Sequence, residues 1–271
     1  MGLRVIAALS AVLMLTSCVL TPGQFTSELS IDKSGQFTFS YQGEISVLGF
    51  NQLIDMAAHE NAEGFAGECY NDEFEERPCT EEEKEEQRAA KAAENARDAE
   101  MFKTLLGGID PSKPEAIDDF IERVSRQKGW NSISHKGKGV FDVDFRISGN
   151  ADQGFTFPMI EKLQAASPFV TIIARKDNKV RVEAPGFAGS EQGPGMGTFG
   201  ALAAMGAGES GKGGTPAPAV LPNGTFTVRT SGTILTNNTE EGPTRENGEQ
   251  VLRWEITPAT TQPPETLIAL D

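Results

Sequence analysis

The chain has 271 residues, with 24 Lys and Arg against 39 Asp and Glu and a formal net charge of -15. Its length suits one large domain or two small ones at roughly 100–200 residues per domain. With 38% hydrophobic residues and 29 glycines, its composition is globular rather than disordered. So acidic a balance argues against a nucleic-acid partner, because phosphate contacts need a basic surface. The excess is concentrated: residues 60–100 hold 15 acidic and 5 basic residues.

Arg4, the apolar run Val5 to Leu15 and then Leu15-Thr16-Ser17-Cys18 open the chain. The run is too short for a stable membrane span and reads as an export signal. Its end resembles the lipobox of bacterial lipoproteins. The resemblance implies that the Cys18 thiol takes a diacylglyceryl group, that residues 1–17 are removed and that the new amine is acylated. Several acyl chains at ~0.8 kcal/mol per buried CH₂ anchor a protein effectively permanently. Val19, where an Asp favours retention in the inner membrane, implies an outer-membrane protein facing the periplasm. With Cys18 committed to lipid, Cys69 and Cys79 remain as a pair in an oxidising compartment, and a disulfide is expected. A redox pair or metal ligands are the alternatives. The spacing is not Cys-x-x-Cys, and the only histidines, His59 and His135, lie in unlike contexts.

Period-two alternation of Phe25, Leu29 and Ile31, then of Phe37, Phe39 and Tyr41 after Lys33-Ser34-Gly35, predicts a β-hairpin over 24–48. Residues 49–110 interrupt it with an acidic helical insertion. Thr80 and Glu83 have capping-box spacing, and a helix is expected from about 81 to 106. Its weak stripe is Ala89, Ala92, Ala96, Ala99, Phe102 and Leu106, so its first turns should project into solvent. Ser112, Pro114 and Glu115 announce a second helix, with Ile117, Phe120, Ile121 and Val124 on one face and Gly129 as its stop. Strands follow at 130–136 and 139–148, where Phe141, Val143, Phe145 and Ile147 alternate with Asp142, Asp144 and Arg146. A short helix is expected near 158–166, and Phe169 to Ala174 and Val180 to Val182 flank an Asp177-Asn178 turn. Residues 185–222, with 11 glycines and five prolines, read as a mobile loop. Strand character returns at 225–231, 251–256 and 266–270. The expected fold is α+β: residues 18–271 as a single antiparallel β-rich domain with one or two packed helices, interrupted by the insertion and the loop.

Two glycine strings mimic nucleotide sites. Gly195-Met196-Gly197-Thr198-Phe199-Gly200 lacks the preceding strand and following helix of a dinucleotide loop. Gly206 to Lys212 nearly completes a P-loop, but Gly213 stands where a magnesium-binding hydroxyl belongs and Pro216 and Pro218 follow. Low-complexity loop is the better reading of both, and no cofactor is expected. His59-Glu60 lacks the second histidine of a zinc-hydrolase motif, and no metal site is expected. His135 reads as a solvated turn residue. Asp142 and Asp144 share a strand face, where alternating charges are ordinary. The glutamates at 81–86 radiate around a helix, which suits a solvated face better than a cation cage. Met196, Phe199, Leu202 and Met205 suggest a weak amphipathic patch near the membrane. No catalytic constellation emerges.

The hairpin with Phe37-Thr38-Phe39 soon after Cys18, together with Leu252-Arg253-Trp254, resembles the LppM-type lipoproteins. That resemblance implies a β-rich envelope domain that binds lipid or glycolipid. This chain departs from the family in its 49–110 insertion and in ending at Asp271 without a membrane helix, so no binding residue carries over. The expected function is a non-catalytic, lipid-anchored envelope module for a protein partner or an amphiphile. An envelope hydrolase and a passive spacer are the alternatives.

Overall fold

The structure, a computed structural model, describes residues 20–47, 69–71, 74–105, 107–110, 113, 115–161, 163, 168–188 and 220–271. They are β-rich with some helix. In chain order the strands are β1 (Leu20–Ile31), β2 (Gln36–Val47), β3 (Cys69–Tyr70), β4 (Glu76–Arg77), β5 (Trp130–Gly137), β6 (Val140–Asn150) and β7 (Phe155–Phe157). Then come β8 (Val170–Arg175), β9 (Lys179–Glu183), β10 (Asn223–Thr230), β11 (Thr233–Asn237), β12 (Thr244–Glu246), β13 (Glu249–Ile256) and β14 (Glu265–Ala269). Two α-helices lie among the described residues, α1 (Glu81–Leu105) and α2 (Ala116–Ser125). Neither is long and apolar enough to cross a membrane. The chain divides into two compact units, residues 1–48 with 121–271, and residues 49–120.

The first unit holds a seven-stranded sheet, β12-β13-β10-β1-β2-β6-β5, and a five-stranded sheet, β11-β14-β9-β8-β7. All pairings are antiparallel except β1 with β10. The alternation seen in the sequence gives each strand an apolar face. Phe25, Leu29 and Ile31 of β1, Phe37, Phe39 and Tyr41 of β2, and Phe141, Val143 and Phe145 of β6 are all buried. Their rings meet those of the smaller sheet. Phe157 lies 5.1 Å from Phe39, 5.0 Å from Tyr41 and 4.7 Å from Phe145 between centroids. The space between the sheets is therefore filled by rings in mutual contact, each such pair contributing about 0.5–1.5 kcal/mol beyond area burial.

Two segments differ from expectation. Phe155–Phe157 forms an edge strand, and the described residues at 158–161 and 163 are not helical. Pro158 holds Phe157 in extended backbone, and Phe157 is wholly buried. Within the predicted loop, Pro185–Phe187 form a 3₁₀ turn that seats Phe187 against Phe25 at 4.3 Å and Phe226 at 5.3 Å. Residues 189–219 lie outside the described residues.

In the second unit, β3 and β4 pair as a short hairpin and the Cys69–Cys79 disulfide is formed, with an S–S distance of 2.06 Å. Closing so short a loop removes on the order of 2–3 kcal/mol of unfolded-state entropy. Helix α1 starts where its capping box predicts. The Glu83 N–H donates to Thr80 Oγ1 at 3.3 Å, and the Thr80 N–H donates to Glu83 Oε2 at 2.9 Å. Ala89, Ala92 and Ala96 of the expected stripe are exposed. Helix α2, whose residues 116–120 end this unit, buries Ala116, Phe120 and Val124 at i, i+4, i+8 spacing.

Candidate functional site

One end of the large sheet gathers several chain passages. Leu20, the first residue of β1, pairs with Val47, the last of β2, and the Val47 N–H donates to the Gly139 carbonyl at 2.8 Å. On the other side of β1, Gln24 pairs with Asn223, where β10 begins. The β1 register slips between Pro22 and Phe25. Gly43 makes room for this bulge: its φ is +142°, and a Cβ there would sit 2.2 Å from the Gln24 oxygen. Lys138 and Gly139, at φ 52° and 66°, form the two-residue turn that joins β5 to β6. Lys138 is exposed at its tip.

The electrostatics of this end are local. Lys136 Nζ lies 2.7 Å from Glu44 Oε1. This bond holds the Glu44 carboxyl below the usual range and raises Lys136. The Tyr41 hydroxyl, buried, donates to the Glu44 carbonyl at 2.7 Å; burial, then Glu44 and Asp142, push it well above the usual phenol value. His135 is a residue of strand β5, opposite Phe141, and not the solvated turn residue expected. Its Nε2 is buried without a hydrogen-bond partner among the described residues, and burial lowers its pKa toward a neutral imidazole. Asp142 and Asp144 share the outer face, Asp142 opposite Glu44 and Asp144 accepting from Asn131 Nδ2 at 3.0 Å. Strand alternation places His135 on the Phe141 face and Asp142 on the other, so these groups do not converge for acid–base chemistry.

The acidic unit presents a different surface. The Asn71 N–H donates to the Glu75 carbonyl at 2.9 Å, the Phe74 N–H to the Asn71 carbonyl at 3.0 Å, and the Glu75 N–H to Asn71 Oδ1 at 2.9 Å. This network carries Phe74 at φ 61°, and the ring is 88% exposed. A non-glycine residue in this region is uncommon, and an aromatic one is costly to hold there. Tyr70, on the same hairpin, is 50% exposed. Arg77 joins hairpin to helix, its Nη1 donating to Glu83 Oε2 at 2.8 Å. This bond, then the Thr80 N–H, lowers the Glu83 pKa to about 2. Cys69, Tyr70, Glu83, Glu86, Gln87 and Ala90 line an open groove of about 310 Å³. Gln87 Nε2 approaches Cys69 Sγ at 3.5 Å, while its Oε1 is buried and unpartnered among the described residues. Residues 49–120 carry 20 acidic and 7 basic side chains, so this unit holds most of the net charge of -15.

Cys18, His59, both glycine strings and Met196, Phe199, Leu202 and Met205 lie outside the described residues. Among the described residues no three or more His, Cys, Asp or Glu side chains gather as a metal site. Sequence reasoning missed Phe74, although its signal was present as a lone aromatic inside Asp72-Glu73-Phe74-Glu75-Glu76. Comparison with family models, curated proteins and solved structures finds no match for this chain.

Proposed function

We propose that the chain is a non-catalytic, lipid-anchored envelope lipoprotein whose acidic unit docks a basic protein partner. In this reading Cys18 carries the acyl chains, the protein faces the periplasm from the outer membrane, and the fold is one α+β domain with residues 49–110 as a helical insertion. The observation that carries it is the disulfide-closed hairpin with Phe74 88% exposed at its turn, in a unit with a large negative excess. An exposed aromatic ring offers an anchor for a partner's pocket, and the negative charge around it steers the approach of a basic partner.

A protein partner accounts for the core better than an internal amphiphile does. Phe157 and Phe187 occupy the space between the sheets, so a lipid chain there would have to displace well-packed rings. The test is a photo-crosslinking residue at position 74 in intact cells, with position 30 on the sandwich as control. The expected outcome is one adduct at position 74 with a basic envelope protein, weakened by added salt. Equal labelling at both positions, or none at 74, contradicts the reading.

A further inference from the structure

The geometry points to a membrane-facing end of the β-sandwich: the end at which β1 begins lies on the bilayer, with Lys138 at the level of the lipid phosphates on one flank and Leu221 on the other. This inference rests on the proposed acylation of Cys18. Cys18 precedes Leu20 by two residues, and at ~3.3–3.6 Å per residue the link reaches about 7 Å. Leu20 is 2% exposed and already paired with Val47, in a strand that has β2 on one side and β10 on the other. No slack remains for a spacer. An anchor joined this way to an interior strand draws the whole strand end to the lipid surface.

The side chains of that end suit the interface. Lys138 stands at the tip of the β5–β6 turn, whose Gly139 carbonyl accepts from Val47, two strands from β1 and so about 10 Å across at ~4.8 Å per strand. A lysine there lays its methylene stem along apolar surface and extends its ammonium to phosphate. On the opposite flank Leu221 is 36% exposed just before β10. Val220 lies so close to Gly23 that a Cβ on the glycine would meet its Cγ1 at 2.9 Å. An apolar side chain at one flank and a lysine at the other is the chemistry of an interfacial surface. Among the described residues, the carboxylates nearest this region are those of Glu44 and Asp142. Asp142 lies two residues along β6 from its start, whereas the Glu44 carboxylate stands beside Gly23 with Val220, its Oε2 2.8 Å from where a Cβ on the glycine would sit, and its charge is met by Lys136. The far end of β1, at Lys33, is about 40 Å away for a 12-residue strand.

The experiment uses full-length protein extracted from membranes and reconstituted in phosphatidylcholine vesicles with and without phosphatidylglycerol. One variant, Lys138→Cys, carries a fluorophore at the proposed surface; a second, Lys33→Cys, carries it at the far end. The disulfide is kept oxidised, and quenching by brominated lipid is read. Several-fold stronger quenching at 138 than at 33, in either vesicle, supports the proposal. Equal quenching, stronger quenching at 33, or an unquenched 138 in a protein that remains firmly anchored overturns it. Failure of the anchor reading looks different: a Cys18→Ser chain would then stay processed and membrane-bound.

Discussion

The β-sandwich keeps its shape by burying rings between two sheets, whereas the acidic unit relies on a disulfide, a capped helix and ion pairs. In the sandwich, Phe39, Tyr41, Phe157 and Phe187 are essentially inaccessible, and the outer face carries short networks such as Arg229 with Glu28 and Glu246. In the acidic unit the described alanines of α1 are exposed, and Phe74 and Tyr70 face solvent. A segment with little apolar surface to bury must limit the entropy of its unfolded chain, and a short disulfide loop does that. The surface left unburied is then free to bind.

Removing core rings should separate the units most sharply. Phe39→Ala should destabilise the sandwich by about 3–5 kcal/mol, read as a lowered urea midpoint of its tryptophan fluorescence; Trp130 and Trp254, the reporters, both lie in that unit. A loss below about 1 kcal/mol would show that the ring packing is not what holds the sheets. Next in size, reducing Cys69–Cys79 should cost the acidic unit about 2–3 kcal/mol while the fluorescence midpoint stays in place. If that midpoint falls equally, the units are not separately held. Third, Thr80→Ala should cost about 1 kcal/mol, seen as helical circular dichroism lost at lower temperature.

Acid should act on the same junction. The folded Glu83 carboxyl titrates at about 2, below its ordinary 4.5, chiefly through Arg77. Its contribution is therefore complete above pH 4.5 and is lost as pH falls from there towards 2. Glu83→Gln should flatten that part of the acid profile of helicity, and an unchanged profile would remove the Arg77 contact from the account. The smallest effect belongs to the outer face: Arg229→Ala should change stability by no more than about 1 kcal/mol and less at high salt.

Strand positions were legible wherever one face is wet. The alternation at Phe37, Phe39 and Tyr41 and at Phe141, Val143 and Phe145 marks strands and buried faces together, and Asp177-Asn178 forms its turn at φ 59° and 52°. The Thr80–Glu83 cap and the Cys69–Cys79 pair were equally readable, because each depends on residues close in sequence. Phe187 was not, since a single buried ring in a glycine- and proline-rich stretch leaves no periodicity. Nor was the parallel pairing of β1 with β10, which joins distant strands and leaves no local pattern. Within the candidate surfaces, the acidic excess was visible, but the exposure of Phe74 depends on a left-handed backbone that composition does not encode.

Acylation at Cys18 is read most plainly in the intact mass of the protein extracted from its native membrane. The expected mass is that of a chain that starts at Cys18 and carries a diacylglyceryl thioether and an amide-linked acyl group. A mature chain that starts elsewhere, or that starts there with a free thiol and amine, would contradict it.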